Sequence, residues 1–184
     1  MKLYIKKRPA DYILYTLIIS VGIILDQITK WLSVENLKKI DTLPLIEDVL
    51  HLTYVENRGA AFGMMADQRW IFIIISSVAI LGFMLYLYLG HADGPLYSIG
   101  MSLVISGGIG NMIDRLALGY VVDFIDCRFV KYPVFTSGGA VWNTFPVFNG
   151  ADSFVCVGAG IIMLAVILEM RAEIKEKKNG NTGK

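Results

Sequence analysis

Asp123 and Asp152 stand apart from the other acids of this chain. Asp123 lies in the apolar run Tyr120-Val121-Val122-Asp123-Phe124, and Asp152 in Phe148-Asn149-Gly150-Ala151-Asp152-Ser153. Neither has an adjacent basic residue. Two carboxylates brought together in a low-dielectric site cannot both ionise, so one pKa rises and the pair shares a proton. That arrangement activates a water and protonates a leaving amine. Ion networks gather acids in the same way, so spacing alone leaves the catalytic and the structural reading open.

The remaining acids have ready partners. Asp26 and Lys30 stand at i and i+4 in the favourable order, a structural pair in which Lys30 neutralises Asp26. Asp114 beside Arg115 is expected as an ion pair, and Asp126 near Arg128 as a solvated loop pair. Asn111 and Asp114 are three apart and share a helix face, and Asn149 and Asp152 repeat that spacing. Other chemistries lack their residues. There is no HExxH and no CxxC, so no metal is expected, and a cation held by acids alone has no substrate phosphate to motivate it. Cys127 and Cys156 are expected to be inert. Gly107-Gly108-Ile109-Gly110 fails the pattern GxGxxG at Ile113. Ser102, Ser106 and Gly110, four apart, read instead as a face for close helix packing.

These residues sit in a chain of 184 residues, 55% hydrophobic and only 18% charged, against roughly 25% charge in soluble domains. The mean hydropathy is +0.57. A soluble globule this small has too little interior to hide so much apolar side chain. The net charge of +1 gives no reason to expect a nucleic-acid partner, and two cysteines exclude a disulfide-dense secreted fold.

A bilayer span takes about 20 apolar residues. Trp70 to Leu89 and Leu96 to Ile113 carry no charge, and Phe154 to Leu168 extends past Glu169 to Met170. The first span reaches full length only by running from Tyr12 through Asp26, Gln27 and Lys30 to Leu32. A signal peptide is the competing reading, given Lys2, Lys6, Lys7 and Arg8. No cleavage site follows, however, and Trp31 and Leu32 continue the run. The sequence thus predicts an integral membrane, mainly α protein in one domain: a four-transmembrane-helix bundle with spans at 12–32, 70–89, 96–113 and 154–170.

Basic residues flank both ends, with Arg171, Lys175, Lys177, Lys178 and Lys184 in the C-terminal tail, so both termini are expected in the cytoplasm. Gly90 to Pro95 is then a cytoplasmic loop, and 33–69 and 114–153 face outside. His51 and His91 fall on opposite sides. Asp26, Asn111, Asp114, Asn149 and Asp152 all lie at outer helix ends, where they gather at one depth, and acids near hydrocarbon are functional candidates by default. Val49 to Val55 reads as a strand followed by a turn at Asn57-Arg58-Gly59. Pro133-Val134-Phe135 and Ala140-Val141-Trp142 read as a hairpin around Thr136 to Gly139. Together they make a small extracytoplasmic β element.

With these blocks in view, the sequence resembles the lipoprotein signal peptidase, or signal peptidase II, family. The resemblance runs from Asp26 to Ser153. It rests on Asp26-Gln27-Ile28-Thr29-Lys30, Asn57-Arg58-Gly59-Ala60-Ala61-Phe62-Gly63, Gly107 to Arg115, Val121-Val122-Asp123-Phe124 and Phe148 to Ser153, in family order. It implies a cofactor-free aspartic endopeptidase of the bacterial cytoplasmic membrane, working as a monomer near the outer face. Such enzymes remove signal peptides from prolipoproteins just before a cysteine bearing a diacylglyceryl group. The partners implied are these substrates and membrane lipid. The resemblance maps the catalytic dyad onto Asp123 and Asp152. It also maps substrate-binding or supporting roles onto Asn57, Asn111, Asp114, Arg115 and Asn149, and support onto Asp26 and Lys30. The stretch from Asp123 to Asn149, with Thr136 to Thr144, is longer than the family pattern. A proton-coupled carrier is the runner-up, but carriers place acids near the midplane and show matched halves, and neither is seen here. A membrane assembly factor with structural acids is the third reading.

Overall fold

The computed structural model describes residues 8–59, 68–89, 94–129, 131–136 and 139–181, the side chains of 131–144 and 178–181 excepted. Four helices are long and apolar enough to cross a membrane. The first, α1 (Pro9–Leu37), opens with proline in its first turn, where the missing N–H costs nothing, and Asp11 accepts the Arg8 backbone N–H at 2.8 Å. Its buried residues are Tyr15, Ile19, Gly22, Asp26, Lys30, Ser33 and Leu37, spaced by three or four and so on one face. That stripe carries the helix five residues beyond the expected end at Leu32. The charged stretch does not break it, because Asp26 and Lys30 face the protein rather than lipid.

After α1 come β1 (Thr42–Ile46), β2 (Leu50–Asn57) and α2 (Arg69–Tyr88). Next are α3 (Pro95–Ala117), β3 (Val121–Cys127), β4 (Lys131–Thr136), β5 (Gly139–Thr144) and α4 (Gly150–Asn181). Helix α3 runs four residues past the expected Ile113 and so holds Asp114 and Arg115 within its last turn. Helix α4 starts four residues before Phe154 and extends through the basic tail to Asn181. The outer segments are correspondingly shorter than the sequence suggested. The loop 90–93, with His91, and residues 60–67, with the Ala60-Ala61-Phe62-Gly63 part of its motif, lie outside the described residues.

Helix α3 is central and packs on α1, α2 and α4. Ser98, Gly100, Ser102, Ser106, Gly107 and Gly110 are its buried small residues. Without side-chain bulk the backbones meet closely, and a Cβ added at Gly107 would overlap the Ala151 carbonyl oxygen of α4. The outer faces of the bundle expose Ile74, Ile75, Val78 and Leu81 on α2 and Met163, Leu164 and Ile167 on α4. This is the apolar coat expected where lipid is the solvent.

The connections after α1 and α3 lie at one end of the bundle and carry the strands. β1, β2 and β3 form an antiparallel sheet in that order, with a bulge in β2 between Leu52 and Val55. β4 and β5 form the expected hairpin, of which residues 137 and 138 lie outside the described set. The sequence reading missed β1: Pro44 interrupts it, which an edge strand tolerates because one side needs no ladder bonds. Asp126 is on β3, not in a solvated loop. Arg128 pairs with it at 2.9 Å, but its carboxylate is buried and also accepts the Thr53 hydroxyl at 2.8 Å.

Candidate active site

The site is assembled where β2, β3 and the ends of α3 and α4 meet. Asp123 comes from the middle of β3, opposite Val55 just past the β2 bulge, and is 1% exposed. Asn57 ends β2 and donates its Nδ2 to Asp123 Oδ2 at 2.9 Å. The Gly59 N–H donates back to Asn57 Oδ1 at 3.1 Å, a local turn that fixes which end of the amide faces the acid.

Asp152 enters through helix capping. Asn149 precedes α4, and its Oδ1 accepts the Asp152 N–H at 3.0 Å, while Asp152 Oδ2 accepts the Asn149 N–H at 3.2 Å. This reciprocal pair is a capping box with Asn and Asp in its two places. It explains the Asn149–Asp152 spacing seen in the sequence, and it leaves Asp152 Oδ1 to accept the Asn111 Nδ2 at 2.8 Å. Asn149 is fully buried. Its Nδ2 reaches Asp123 Oδ1 at 2.7 Å and Asn111 Oδ1 at 3.0 Å. The backbone of Phe148 closes the arrangement by bridging to Ile125 on β3.

Behind these amides lies a buried charge cluster. Lys30 Nζ contacts Asp26 Oδ2 at 2.9 Å, Asp114 Oδ2 at 3.0 Å and Asn111 Oδ1 at 2.9 Å. Asp26 also accepts the Ala151 N–H at 2.8 Å, and Asp114 the Val122 N–H at 3.0 Å. The expected Asp114–Arg115 pair is therefore corrected: consecutive helical residues point about 100° apart, and Asp114 turns inward to Lys30. Arg115 turns to the cavity instead, 3.4 Å from the Gly59 carbonyl and over the Phe72 ring. Gln27 was missed as a member of the cluster. Its Nε2 donates to Asp114 Oδ1 at 3.1 Å and to the Gly110 carbonyl at 3.2 Å. A carboxamide between two charged residues at the edge of an apolar span was the available signal.

Asp123, Asp152, Asn57, Asn111 and Arg115 line one cavity of about 870 Å³, and Asn149, Asp114, Asp26 and Lys30 support it from behind. Val55, Phe145, Pro146, Val147 and Phe148 supply an apolar wall, and Cys156 and Val157 continue it down the exposed face of α4. Both cysteines are free. Glu56 and Arg58 sit at the rim, where Lys38 and Arg58 each donate to Glu56 at 3.2 Å. The Lys38 bond draws the Glu56 carboxyl below its ordinary value.

Burial pushes the Asp123 carboxyl up to about 7. The Asn57 amide opposes this, the nearby Asp152 adds to it, and Asn149 and Lys30 oppose it again. A buried carboxyl that holds its proton near neutrality, beside a second carboxylate in the same cavity, can serve as an acid while its partner serves as a base. Among the described residues no group of three His, Cys, Asp or Glu is placed to hold a metal ion.

The profile of the family described as Signal peptidase (SPase) II matches residues 18–168. The lipoprotein signal peptidase of Clostridioides difficile is 44% identical over 155 residues, 84% of this chain and 95% of that protein. The lipoprotein signal peptidase of Halalkalibacterium halodurans is 38% identical over 164 residues, 89% of this chain and 98% of that one. A bacterial membrane enzyme solved by the in meso method at 2.3 Å superposes with a TM-score of 0.71 at 29% identity, covering 85% of this chain and 89% of its own. A family match across most of the chain, with relatives this similar along nearly their whole length, shows that this multi-pass bacterial membrane protein belongs to the signal peptidase II family.

Proposed function

We propose that the chain is an aspartic endopeptidase that removes signal peptides from prolipoproteins, with Asp123 and Asp152 as the catalytic pair. The observation that carries this reading is the pair itself: two carboxyls on one cavity, one of them buried and raised to about 7, with amides donating to both. Asp123, whose carboxyl burial raises, carries the shared proton in the active form. Asp152 takes a proton from water, the water attacks the carbonyl carbon before the modified cysteine, and the proton on Asp123 passes to the amine as the C–N bond breaks. The products are the signal peptide's new carboxylate and the free amine of the cysteine. No acyl-enzyme forms. Arg115, on the cavity wall beside the Gly59 carbonyl, faces the substrate backbone. The apolar wall running onto the exposed side of α4 suits a diacylglyceryl group whose chains stay in lipid.

The test is a gel-shift assay with purified protein in excess chelator, acting as a monomer. The diacylglyceryl prolipoprotein should be cut and the same polypeptide without lipid left intact. Loss of activity on chelation, rescued by one added divalent ion, would move the acids to a metal site.

The basic flanks of α1 and α4 support a reading with the site at the outer face and both termini in the cytoplasm. A reporter active only in the cytoplasm should give signal when fused after Lys184 and none when fused after Val130. The reverse pattern would put the dyad on the wrong side to meet exported lipoproteins.

A further inference from the structure

We propose that Lys30 is a positioning residue for the cleavage reaction: its ammonium sets the orientation of the Asn111 side-chain amide, and through it the amide hydrogen bonds that Asn111 and Asn149 make to Asp152 and Asp123. The proposal rests on the aspartic reading above. An ammonium has three N–H donors and no acceptor. Here it meets three acceptors, Asp26 Oδ2, Asp114 Oδ2 and Asn111 Oδ1, all within 3.0 Å. Asn111 must therefore turn its carbonyl end to Lys30, which forces its Nδ2 onto Asp152 Oδ1. The same Oδ1 accepts Asn149 Nδ2, and that bond holds the Asn149 donor end between Asn111 and Asp123 Oδ1. Asn149 Oδ1 is then left for the Asp152 N–H. One cation thus fixes the direction of two amides and presents donors to both acids.

The side chain of Lys30 is 3% exposed, so its ammonium is shielded from bulk water. It bonds to neither aspartate of the dyad. Among the described residues the charged groups around the dyad are Asp26 and Lys30 of α1, Asp114 and Arg115 of α3, and Glu56 and Arg58 at the rim, and the Cys156 thiol of α4 also lines the cavity. Of these charged groups, among the described residues, Lys30 alone donates to an amide side chain that bonds a dyad carboxyl, since Arg115 reaches the Asn111 backbone carbonyl. Without the ammonium the Asn111 amide is held in this direction by the Asn149 bond alone, and it turns its oxygen toward Asp152 for part of the time. Acceptor then faces acceptor, a contact relieved only by a proton, so the dyad holds its proton to higher pH.

The experiment compares wild type, Lys30→Met, Asp26→Asn and the double variant in the lipidated-substrate assay from pH 5 to 9, with thermal unfolding of each. The double variant removes one carboxylate together with the cation, so the net charge of the buried cluster stays that of wild type, with Asp114 remaining, if the single variant fails to accumulate. Lys30→Met with Asp26→Asn should fold, keep KM within about twofold and lose about a hundredfold in kcat, the scale of a misplaced reacting group. Its alkaline limb should move up by about one pH unit, the scale of a hydrogen bond to the charged form replaced by an opposed acceptor. Asp26→Asn alone keeps the ammonium and should leave the limb at or below its wild-type position. A folded double variant whose limb stays at the wild-type pH would overturn the positioning role and leave Lys30 a structural ion. A wild-type enzyme with no alkaline limb at all would overturn the aspartic reading first and this proposal with it.

Discussion

Asp123→Asn and Asp152→Asn should each reduce cleavage of a diacylglyceryl prolipoprotein to background while the protein still accumulates in the membrane. A carboxamide neither accepts the proton of the attacking water nor gives one to the leaving amine. General acid–base assistance alone is worth about a hundred- to ten-thousandfold, and here both halves of it depend on one shared proton. The folding effect is less simple than the equal volumes of Asp and Asn suggest. Both oxygens of Asp123 accept amide N–H groups, from Asn57 and Asn149, and both oxygens of Asp152 do so from Asn111 and the Asn149 backbone. An Asn in either place sets a donor against a donor, at a cost of about 1–3 kcal/mol for an unmade buried bond. Where the replaced carboxyl is ionised, removing its charge offsets part of that. The variants should therefore unfold at temperatures close to wild type while their turnover collapses. Wild-type turnover in either one would remove that aspartate from the chemistry and bring forward the structural or carrier readings of these acids.

Gly107→Val should have the largest effect on folding. The new side chain has no space, because its first carbon already overlaps the Ala151 carbonyl oxygen, which belongs to backbone, and lies 2.8 Å from Val155. Relief requires α3 and α4 to separate, which strips packing from the most extensive helix pair among the described residues. Overpacking of this kind costs about 1–3 kcal/mol and more where backbone must move. It also shifts Ala151, next to Asp152, so any variant that folds should cleave poorly. Gly160→Ala and Gly82→Ala are the matched controls, since a Cβ at either position meets nothing within 4 Å. Both should keep wild-type accumulation, thermal stability and turnover. Equal accumulation of Gly107→Val and these controls would show that the α3–α4 contact is not tight.

The elements that position the site were legible to different degrees. Uncharged apolar runs declared α2 and the cores of α3 and α4, because hydrocarbon admits little else. Their ends were not legible from hydropathy. Asp114 and Arg115 prolong α3, and Asn149 starts α4, through caps and buried partners that a hydropathy sum counts as breaks. Asp123 and Asp152 stood out for want of a neighbouring cation, and the structure brings both to one cavity. Asp114 misled because its nearest base in sequence, Arg115, points elsewhere, while its partner Lys30 lies 84 residues earlier and 3.0 Å away. Pairings over such separations have no local pattern. Gln27 was hidden for the same reason: its acceptors, Asp114 and Gly110, are on another helix. β1 carries a proline that argues against a strand until its edge position is known.

The central claim is that Asp123 and Asp152 share one proton during turnover. It is tested most directly by the pH dependence of kcat/KM for the purified wild-type enzyme on a lipidated prolipoprotein, with stability followed across the same range. A profile governed by interacting groups reports macroscopic values. With the Asp123 carboxyl raised to about 7 by burial, the required proton is held below that pH and lost above it. Activity should rise from acid pH to a maximum and then fall through about pH 7 while the protein remains folded. Activity that stays level or climbs from pH 7 to 9 would contradict the account, because a dyad stripped of its proton has nothing to give the leaving amine.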